Sequence, residues 1–249
     1  MGIGADLAHV FAEHGHALIL VARSEGKLKS IAEELKAKHG VEVKYVIQDL
    51  SLENAAKHVF DRVKEMGCEV DILVNNAGVG LHSYFNASDL HETMKMIRLN
   101  ISSLTELTHY FLNVMLAQKQ GRILNVASTA AFQPGPLMAV YYATKAYVLH
   151  FSEALFEESR KRGVSVTALC PGPTRSEFQE RAGMGKVALF SYACMDSRPV
   201  AEKAYRALMK NKAIVIPGFL NKLLSFSTRL SPRFLTTKIA MWLQTERKN

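Results

Sequence analysis

Cysteine is scarce, and what there is cannot be paired into a framework. Cys68, Cys170 and Cys194 are the three in 249 residues, and none forms a C-x-x-C spacing. An odd count without metal-ligand spacing excludes a disulfide scaffold and a structural zinc site, and it points to a reducing compartment. The nine histidines are scattered, so no metal is expected. His91-Glu92-Thr93-Met94-Lys95 departs from the zinc-protease pattern because Lys95 stands where the second histidine belongs. No apolar run reaches the length of a membrane span, about 18 residues or more. The amino terminus has no signal-peptide core either, since Asp6, His9, Glu13, His14 and His16 interrupt it. These absences lead to the expectation of a cytoplasmic protein. Linkers, repeats and low-complexity tracts are missing too, so residues 1–218 read as one domain and 219–249 as an extension packed on it. Acid is scarce at that end. Residues 203–249 carry ten basic side chains and only Glu246 against them, so the whole net charge of +8 belongs there.

What is present alternates. Leu7, Ala8, Val10 and Phe11 follow the helical period, with Gly15 as a stop. Ala17 to Ala22 is a continuous apolar run, the mark of a strand buried on both faces. Ser24 is a candidate N-cap for a helix ending near Gly40, and Val41 to Ile47 is the next strand. A helix over 52–66 follows, then a short strand Asp71 to Val74, a long helix over 89–118, and a strand Arg122 to Val126. A helix through Tyr141 to Lys161, a strand Val164 to Leu169 and a helix over 199–210 lead to a short strand, Ala213 to Ile216. Two tail helices, 219–229 and 232–246, finish the chain. This alternation predicts an α/β fold with a doubly wound parallel sheet and right-handed crossovers. Ligands then bind beyond the carboxyl ends of the strands. The residues there are Arg23, Asp49, Asn75 to Gly78, Ser128 and Thr174.

Tyr141 and Lys145 are four residues apart, on one face of a helix. A cation beside a phenol favours phenolate, so Lys145 is expected to bring the Tyr141 pKa down from about 10 and to make the pair a proton donor and acceptor. Tyr142 competes, but its phenol lies on a shifted face. Ser128 precedes Tyr141 by thirteen positions and sits in no G-x-S-x-G elbow, so it is not read as a hydrolase nucleophile. Taken with Asn75-Asn76-Ala77-Gly78, Asn100 and Pro171-Gly172, these residues resemble the short-chain dehydrogenase/reductase family, in its order and spacing over residues 1–218.

The resemblance implies a Rossmann-like fold and an oxidoreductase. Tyr141 would give a proton to a carbonyl oxygen while NAD(P)H delivers hydride to the carbon, or the reverse. Lys145 would also hold the nicotinamide ribose, Ser128 would hydrogen-bond the carbonyl oxygen, and Asn100 would hold a water in a proton relay. Arg23, assisted by Ser24, suits the 2′-phosphate of NADP better than the free hydroxyl of NAD. Asp49 and Leu50 resemble adenine contacts. Asn75, Asn76, Ala77 and Gly78 resemble the segment beside the cofactor, and Pro171, Gly172 and Thr174 the carboxamide site. Gly2, Ile3 and Gly4 resemble the end of the pyrophosphate loop. The first glycine of that loop and the strand before it have no counterpart, so the sheet is expected to lack its first strand and the true start is expected upstream of Met1. A weakly active or inactive relative acting as a binding or membrane-associated protein stays open for the same reason.

Two regions bear on substrate and partners. Residues 175–198 include Phe178, Met184, Val187, Leu189, Phe190, Tyr192 and Met195, with Arg175, Arg181 and Lys186 as the only basic residues up to 197. Such a cover favours a lipophilic ketone or aldehyde. In the tail, Phe219, Leu220, Leu223, Leu224 and Phe226 form one apolar stripe, and Phe234, Leu235, Ile239, Met241, Trp242 and Leu243 crowd the next helix. This face either packs over the pocket or a second subunit, or lies at a membrane surface. No nucleic-acid motif accompanies the basic residues. The resemblance implies a homodimer or homotetramer.

Overall fold

The computed structural model describes residues 2–184 and 194–245. Helices and strands alternate as α1 (Ile3–Glu13), β1 (Leu18–Ala22), α2 (Glu25–His39), β2 (Val43–Ile47), α3 (Ala55–Glu65), β3 (Ile72–Asn75), α4 (Leu90–Ile97), α5 (Leu104–Gln118), β4 (Gly121–Val126), α6 (Ala139–Ser159), β5 (Val164–Leu169), α7 (Phe178–Arg181), α8 (Ser197–Met209), β6 (Ile214–Val215), α9 (Phe219–Leu230) and α10 (Arg233–Gln244). Every strand pair is parallel, and helices flank the strands in a Rossmann-like α/β arrangement. Helix α1 stops where Gly15 takes φ +81°, and α2 where Gly40 takes φ +68°, a left-handed turn that costs glycine nothing.

The strands form two sheets, β1-β2 and β3-β4-β5-β6. In the larger one, β5 is wholly buried, and Ile123, Leu124, Val166 and Leu169 have no solvent exposure. Each such side chain contributes about 1.5–3 kcal/mol by leaving water. The run Ala17 to Ala22 does not meet the expectation of a doubly buried strand: Leu18 to Val21 are half-buried and Ala22 is exposed. Ile72, Leu73 and Val74 of β3 are likewise only half-buried. The cause is a cavity of about 780 Å³ between these two strands, walled by Leu7 and Phe11 of α1 and by Leu107 and Phe111 of α5.

The long helix expected over 89–118 is broken. Asp89 caps α4 by accepting from the His91 amide at 2.7 Å and the Glu92 amide at 3.2 Å. Residues Arg98–Ser103 then form a π-helical turn before α5 begins. Such a wide turn rotates one residue out of the helical register, and Asn100 lies within it. Ser24 stands at the start of α2 in extended conformation but makes no side-chain cap bond, so it marks the position without satisfying an amide. Helix α3 begins at Ala55 rather than 52, because Asn54 turns left-handed at φ 58°.

Candidate active site

The carboxyl ends of β1 to β5 gather the expected residues along one rim. Helix α6 carries Tyr141 and Lys145, packed against the short helical turn Thr129–Phe132 that follows β4. Ser128 opens that turn. Its hydroxyl accepts from the Ala130 amide at 3.1 Å and lies near enough to the Tyr141 phenol to lower that group's pKa. Lys145 is buried, with Nζ 5.8 Å from the Tyr141 ring centroid, and it donates to the Val126 carbonyl at 2.7 Å. The structure therefore brings Ser128, Tyr141 and Lys145 together. It sends Tyr142 elsewhere: the Tyr142 hydroxyl accepts from Gln244 Nε2 at 2.6 Å, at the end of α10.

The expected acidification of Tyr141 is not what this arrangement produces. Burial pushes the phenol well above its ordinary value, and Ser128 offsets only part of that. Burial also brings Lys145 down from 10.5 to about 8. Spacing on a helix gave the proximity, but desolvation dominates both groups, and Lys145 is not among the influences on the phenol. Tyr141 is thus a phenol that keeps its proton near neutral pH. The neighbouring Cys170 thiol, also buried, is pushed up to about 12.

Asn100 is buried and braces the loop after β3. Its Nδ2 donates to the Val79 carbonyl at 2.9 Å and to Thr144 Oγ1 at 3.0 Å, while Oδ1 accepts from the Val79 amide at 3.0 Å. A Cβ on Gly78 would lie 3.3 Å from both Asn100 Oδ1 and Lys145 Nζ, so the glycine lets the loop approach the lysine. Beneath the rim, Asn75 donates to Thr108 and to Asn125, and Asn125 donates to Ser152, each at 2.9 Å. That buried chain fixes β3, β4, α5 and α6 to one another.

The residues expected to meet a dinucleotide lie farther along the same rim. Gly2 precedes α1 in extended conformation, and Ile3 and Gly4 form its first turn, where free amides favour a phosphate. A Cβ on Gly4 would come within 2.4 Å of Asn76 Nδ2, so a larger residue there would push the Asn76 side chain aside. Arg23, 58 % exposed, faces Asp49 at 3.8 Å. Burial alone would raise the Asp49 pKa. Hydrogen bonds from the Ser51 hydroxyl and amide, with Arg23, outweigh it and hold the group below its ordinary value. Leu50 follows at the same rim. Across from these, Thr174 is buried, donates to the Gly172 carbonyl at 2.9 Å and bridges to Met195. Pro171 accepts from the Thr129 amide at 2.9 Å, which ties this loop to the Ser128 turn. Together these groups suit a nicotinamide dinucleotide.

The phenol faces an apolar enclosure. Ala130, Met138, Tyr142, Ala182 and Met184 pack together with Tyr141 and Phe178, and the Phe178 ring centroid is 5.3 Å from that of Tyr141. Arg175 pairs with Asp196 at 3.1 Å and Arg181 pairs with Glu177, so both basic groups are balanced. Lys186, Val187, Leu189, Phe190 and Tyr192 lie outside the described residues. Sequence reasoning missed Gln244 and His82. The Gln244 carbonyl accepts from His82 Nε2 at 2.9 Å, and its side chain reaches Tyr142, so α10 is latched over the enclosure. A contact spanning more than a hundred residues leaves no local signal.

A family model described as "short chain dehydrogenase" matches residues 1–186. The very-long-chain 3-oxoacyl-CoA reductase of Rattus norvegicus is 36% identical over 176 residues, covering 68% of this chain and 55% of the relative. The 17-beta-hydroxysteroid dehydrogenase type 3 of Mus musculus is 38% identical over 173 residues, covering 68% and 56%. The match to these relatives spans about half their length. Among solved structures, a short-chain dehydrogenase from Sphingobium yanoikuyae in complex with NADPH has a TM-score of 0.82 at 30% identity, covering 92% of this chain and 91% of that one.

Proposed function

Because this chain belongs to the short chain dehydrogenase family of oxidoreductases, we propose that it is an NADP(H)-dependent enzyme that reduces a lipophilic ketone or aldehyde to an alcohol. The observation that carries this reading is the Tyr141 phenol, kept protonated by burial and placed against Ser128 in an apolar enclosure. A protonated phenol is a donor for reduction, and the same group would accept the proton in the reverse reaction. The substrate oxygen sits between the Ser128 hydroxyl and the Tyr141 phenol. Both donate to the negative charge that develops there, and preplaced donors act most strongly on such charge. Reduced nicotinamide, when bound, supplies the hydride. Tyr141 then passes its proton to the oxygen. Lys145, with its pKa near 8, holds the nicotinamide ribose and steadies the phenolate left behind, and Asn100 holds a water that returns a proton. Gly2, Ile3 and Gly4 cradle the pyrophosphate, Arg23 and Ser24 the 2′-phosphate. Asp49, Leu50, Asn76, Ala77 and Gly78 line the adenosine side, and Pro171, Gly172 and Thr174 the carboxamide side.

Two relatives are named for a 3-oxoacyl-CoA and for a 17-beta-hydroxysteroid. Each name implies a large apolar body, an acyl chain or a steroid skeleton, in keeping with the apolar residues around Tyr141. The deciding experiment follows NADPH consumption against long-chain 3-oxoacyl thioesters, steroid ketones and small polar ketones. Turnover on either apolar class supports the reading. NADPH binding without turnover on any of them would replace it with that of a cofactor-binding protein.

The tail, read as an extension of the 1–218 domain, adds a peripheral membrane contact to this proposal. No helix of the described residues is long and apolar enough to cross a membrane. Phe219, Leu230, Phe234 and Trp242 are 83%, 76%, 67% and 68% exposed. Lys222, Arg229, Arg233 and Lys238 stand among them, and no acid occurs between 219 and 245. Two such faces from two copies would repel each other, whereas an anionic lipid surface attracts both the charge and the apolar groups. Flotation with phosphatidylserine-containing liposomes tests this; equal partitioning of the full chain and residues 1–218 would remove it. A homodimer or homotetramer built elsewhere on the surface is compatible with that placement.

A further inference from the structure

Thr144 and Ser152 are buried on α6, at 1% and 0% exposure. Each hydroxyl donates back to a carbonyl of its own helix, Thr144 to Tyr141 at 2.7 Å and Ser152 to Val148 at 2.6 Å. Such a back-bond is ordinary for these residues inside helices, and Ser159 makes one to Leu155 and nothing more. Thr144 and Ser152 differ in that each also accepts from an asparagine on another element. Asn100 Nδ2 donates to Thr144 at 3.0 Å, and Asn125 Nδ2 to Ser152 at 2.9 Å. Each hydroxyl is thus a rung between α6 and its surroundings. The Ser152 rung ends in the sheet, on the Asn125–Asn75 pair. The Thr144 rung ends at the loop after β3, because Asn100 grips both the amide and the carbonyl of Val79. An asparagine amide has two hydrogens to give. One goes to Val79 and the other to Thr144, so without the threonine hydroxyl a buried donor is left without its acceptor. Both ends of this rung adjoin the active-site lysine. Thr144 precedes Lys145 in α6, and Gly78 precedes Val79 in the loop. A Cβ on Gly78 would lie 3.3 Å from both Asn100 Oδ1 and Lys145 Nζ, so the amide that Thr144 holds is also the one that closes the loop over the ammonium.

We propose that Thr144 is a positioning residue: acting through Asn100, its hydroxyl holds the Gly78–Val79 loop against Lys145 Nζ and keeps water from that group. It acts on the chemistry without being one of the groups assigned to substrate or cofactor. The expected effect on turnover rests on the reading of Tyr141 and Lys145 given above. The expected effect on Lys145 itself does not, and its test needs neither cofactor nor substrate.

Titration of Lys145 in the full chain, followed by NMR of isotope-labelled lysine, reads its hydration. Among the described residues, the titratable groups facing it are Tyr141 on its own helix and Cys170 after β5. Burial pushes the phenol above its ordinary value and the thiol to about 12, so both stay neutral while the lysine titrates. Thr144→Val keeps the shape and removes the hydroxyl. It is expected to move the Lys145 midpoint from about 8 toward 10.5, by about half a pH unit or more as water enters. Exchange of the Val79 amide should quicken about tenfold. With NADPH and a carbonyl substrate, kcat should fall about tenfold or more. Thr144→Ser restores the hydroxyl and should return all three toward their unmodified values. Ser152→Ala breaks the other rung and is the control for a merely structural role: it should lower Tm and leave both the Lys145 midpoint and kcat unchanged. Should Thr144→Val fail to fold, Thr144→Ala makes the same deletion with a better helix former; failure of both would make the rung a folding requirement and overturn the assignment. An unmoved Lys145 midpoint overturns it, and so does an equal shift in Ser152→Ala. A moved midpoint in a chain that reduces no carbonyl compound supports the positioning role and rejects the proposed reaction, so the two readings fail separately.

Discussion

Replacing Lys145 by methionine isolates what burial costs this site. The lysine value falls from 10.5 in the unfolded chain to about 8 in the folded protein. Between those limits the unfolded chain holds more protons, so stability rises with pH through that window and the penalty is complete below it. A shift of this size corresponds to about 3 kcal/mol at pH 7 and about 1 kcal/mol at pH 9.5. Methionine carries no charge and pays none of this. It also leaves the Val126 carbonyl, now bonded at 2.7 Å, without its donor, at a cost of about 1–3 kcal/mol. That second term does not depend on pH, because neutral lysine still donates. The stability of Lys145→Met minus that of the unmodified protein should therefore fall by about 2 kcal/mol between pH 7 and pH 9.5. Urea unfolding followed by circular dichroism at the two pH values measures it, and other titrating groups cancel in the subtraction. A difference constant to within about 0.5 kcal/mol would refute the burial argument.

Tyr141→Phe should reduce turnover by about 10²–10⁴-fold with NADPH affinity unchanged, as read by stopped-flow consumption and fluorescence titration. Tyr142→Phe should leave turnover intact and lower stability by about 1–3 kcal/mol, because Gln244 loses the 2.6 Å bond that seats α10; equal losses of turnover in the two tyrosine variants would contradict the assignment. Arg23→Glu should move preference from NADPH toward NADH by about tenfold, a modest figure for a side chain this exposed, and an unchanged ratio of kcat/KM values would place the 2′-phosphate elsewhere. Gly4→Val should weaken NADPH binding and spare the fold, since the added Cβ strikes Asn76 at 2.4 Å; unaltered affinity would exclude the α1 terminus as the phosphate cradle.

The strands and helices were legible where periodicity was strong. Val164 to Leu169 was read to the residue, and the tail helices to within two. The split sheet followed from the unmatched glycine loop, yet the half-buried state of Leu18 to Val21 did not, because an apolar run reads the same beside a neighbour or beside a cavity. The π-helical turn at Arg98–Ser103 was hidden, since Arg98, Leu99 and Ile101 suit an ordinary helix and only tertiary contacts select the wider turn. Spacing singled out Tyr141 over Tyr142 and placed Lys145 on its face, and the Lys145 Nζ lies 5.8 Å from the Tyr141 ring centroid. The sign of the phenol's shift was not legible, because it depends on how much water Met138, Phe178 and Met184 exclude. Gln244 could not have been found from its neighbours in sequence.

The division into two sheets also partitions stiffness. Among the described residues, strands β1 and β2 share no ladder with the larger sheet and pack on the remainder chiefly through helices, by Ala8 and Ala12 of α1 against Leu35 of α2 and by Val46 against α3, whereas β3 and β4 are locked by the Asn75–Asn125–Ser152 chain. Local opening follows the weaker seams, so the small sheet should breathe before the large one. Arg23 and Asp49 ride on the part that yields first, and Ser128 and Tyr141 on the part that yields last. On the proposed reading, selection between nucleotides would then reside on a compliant lobe, and bond-making on a rigid one.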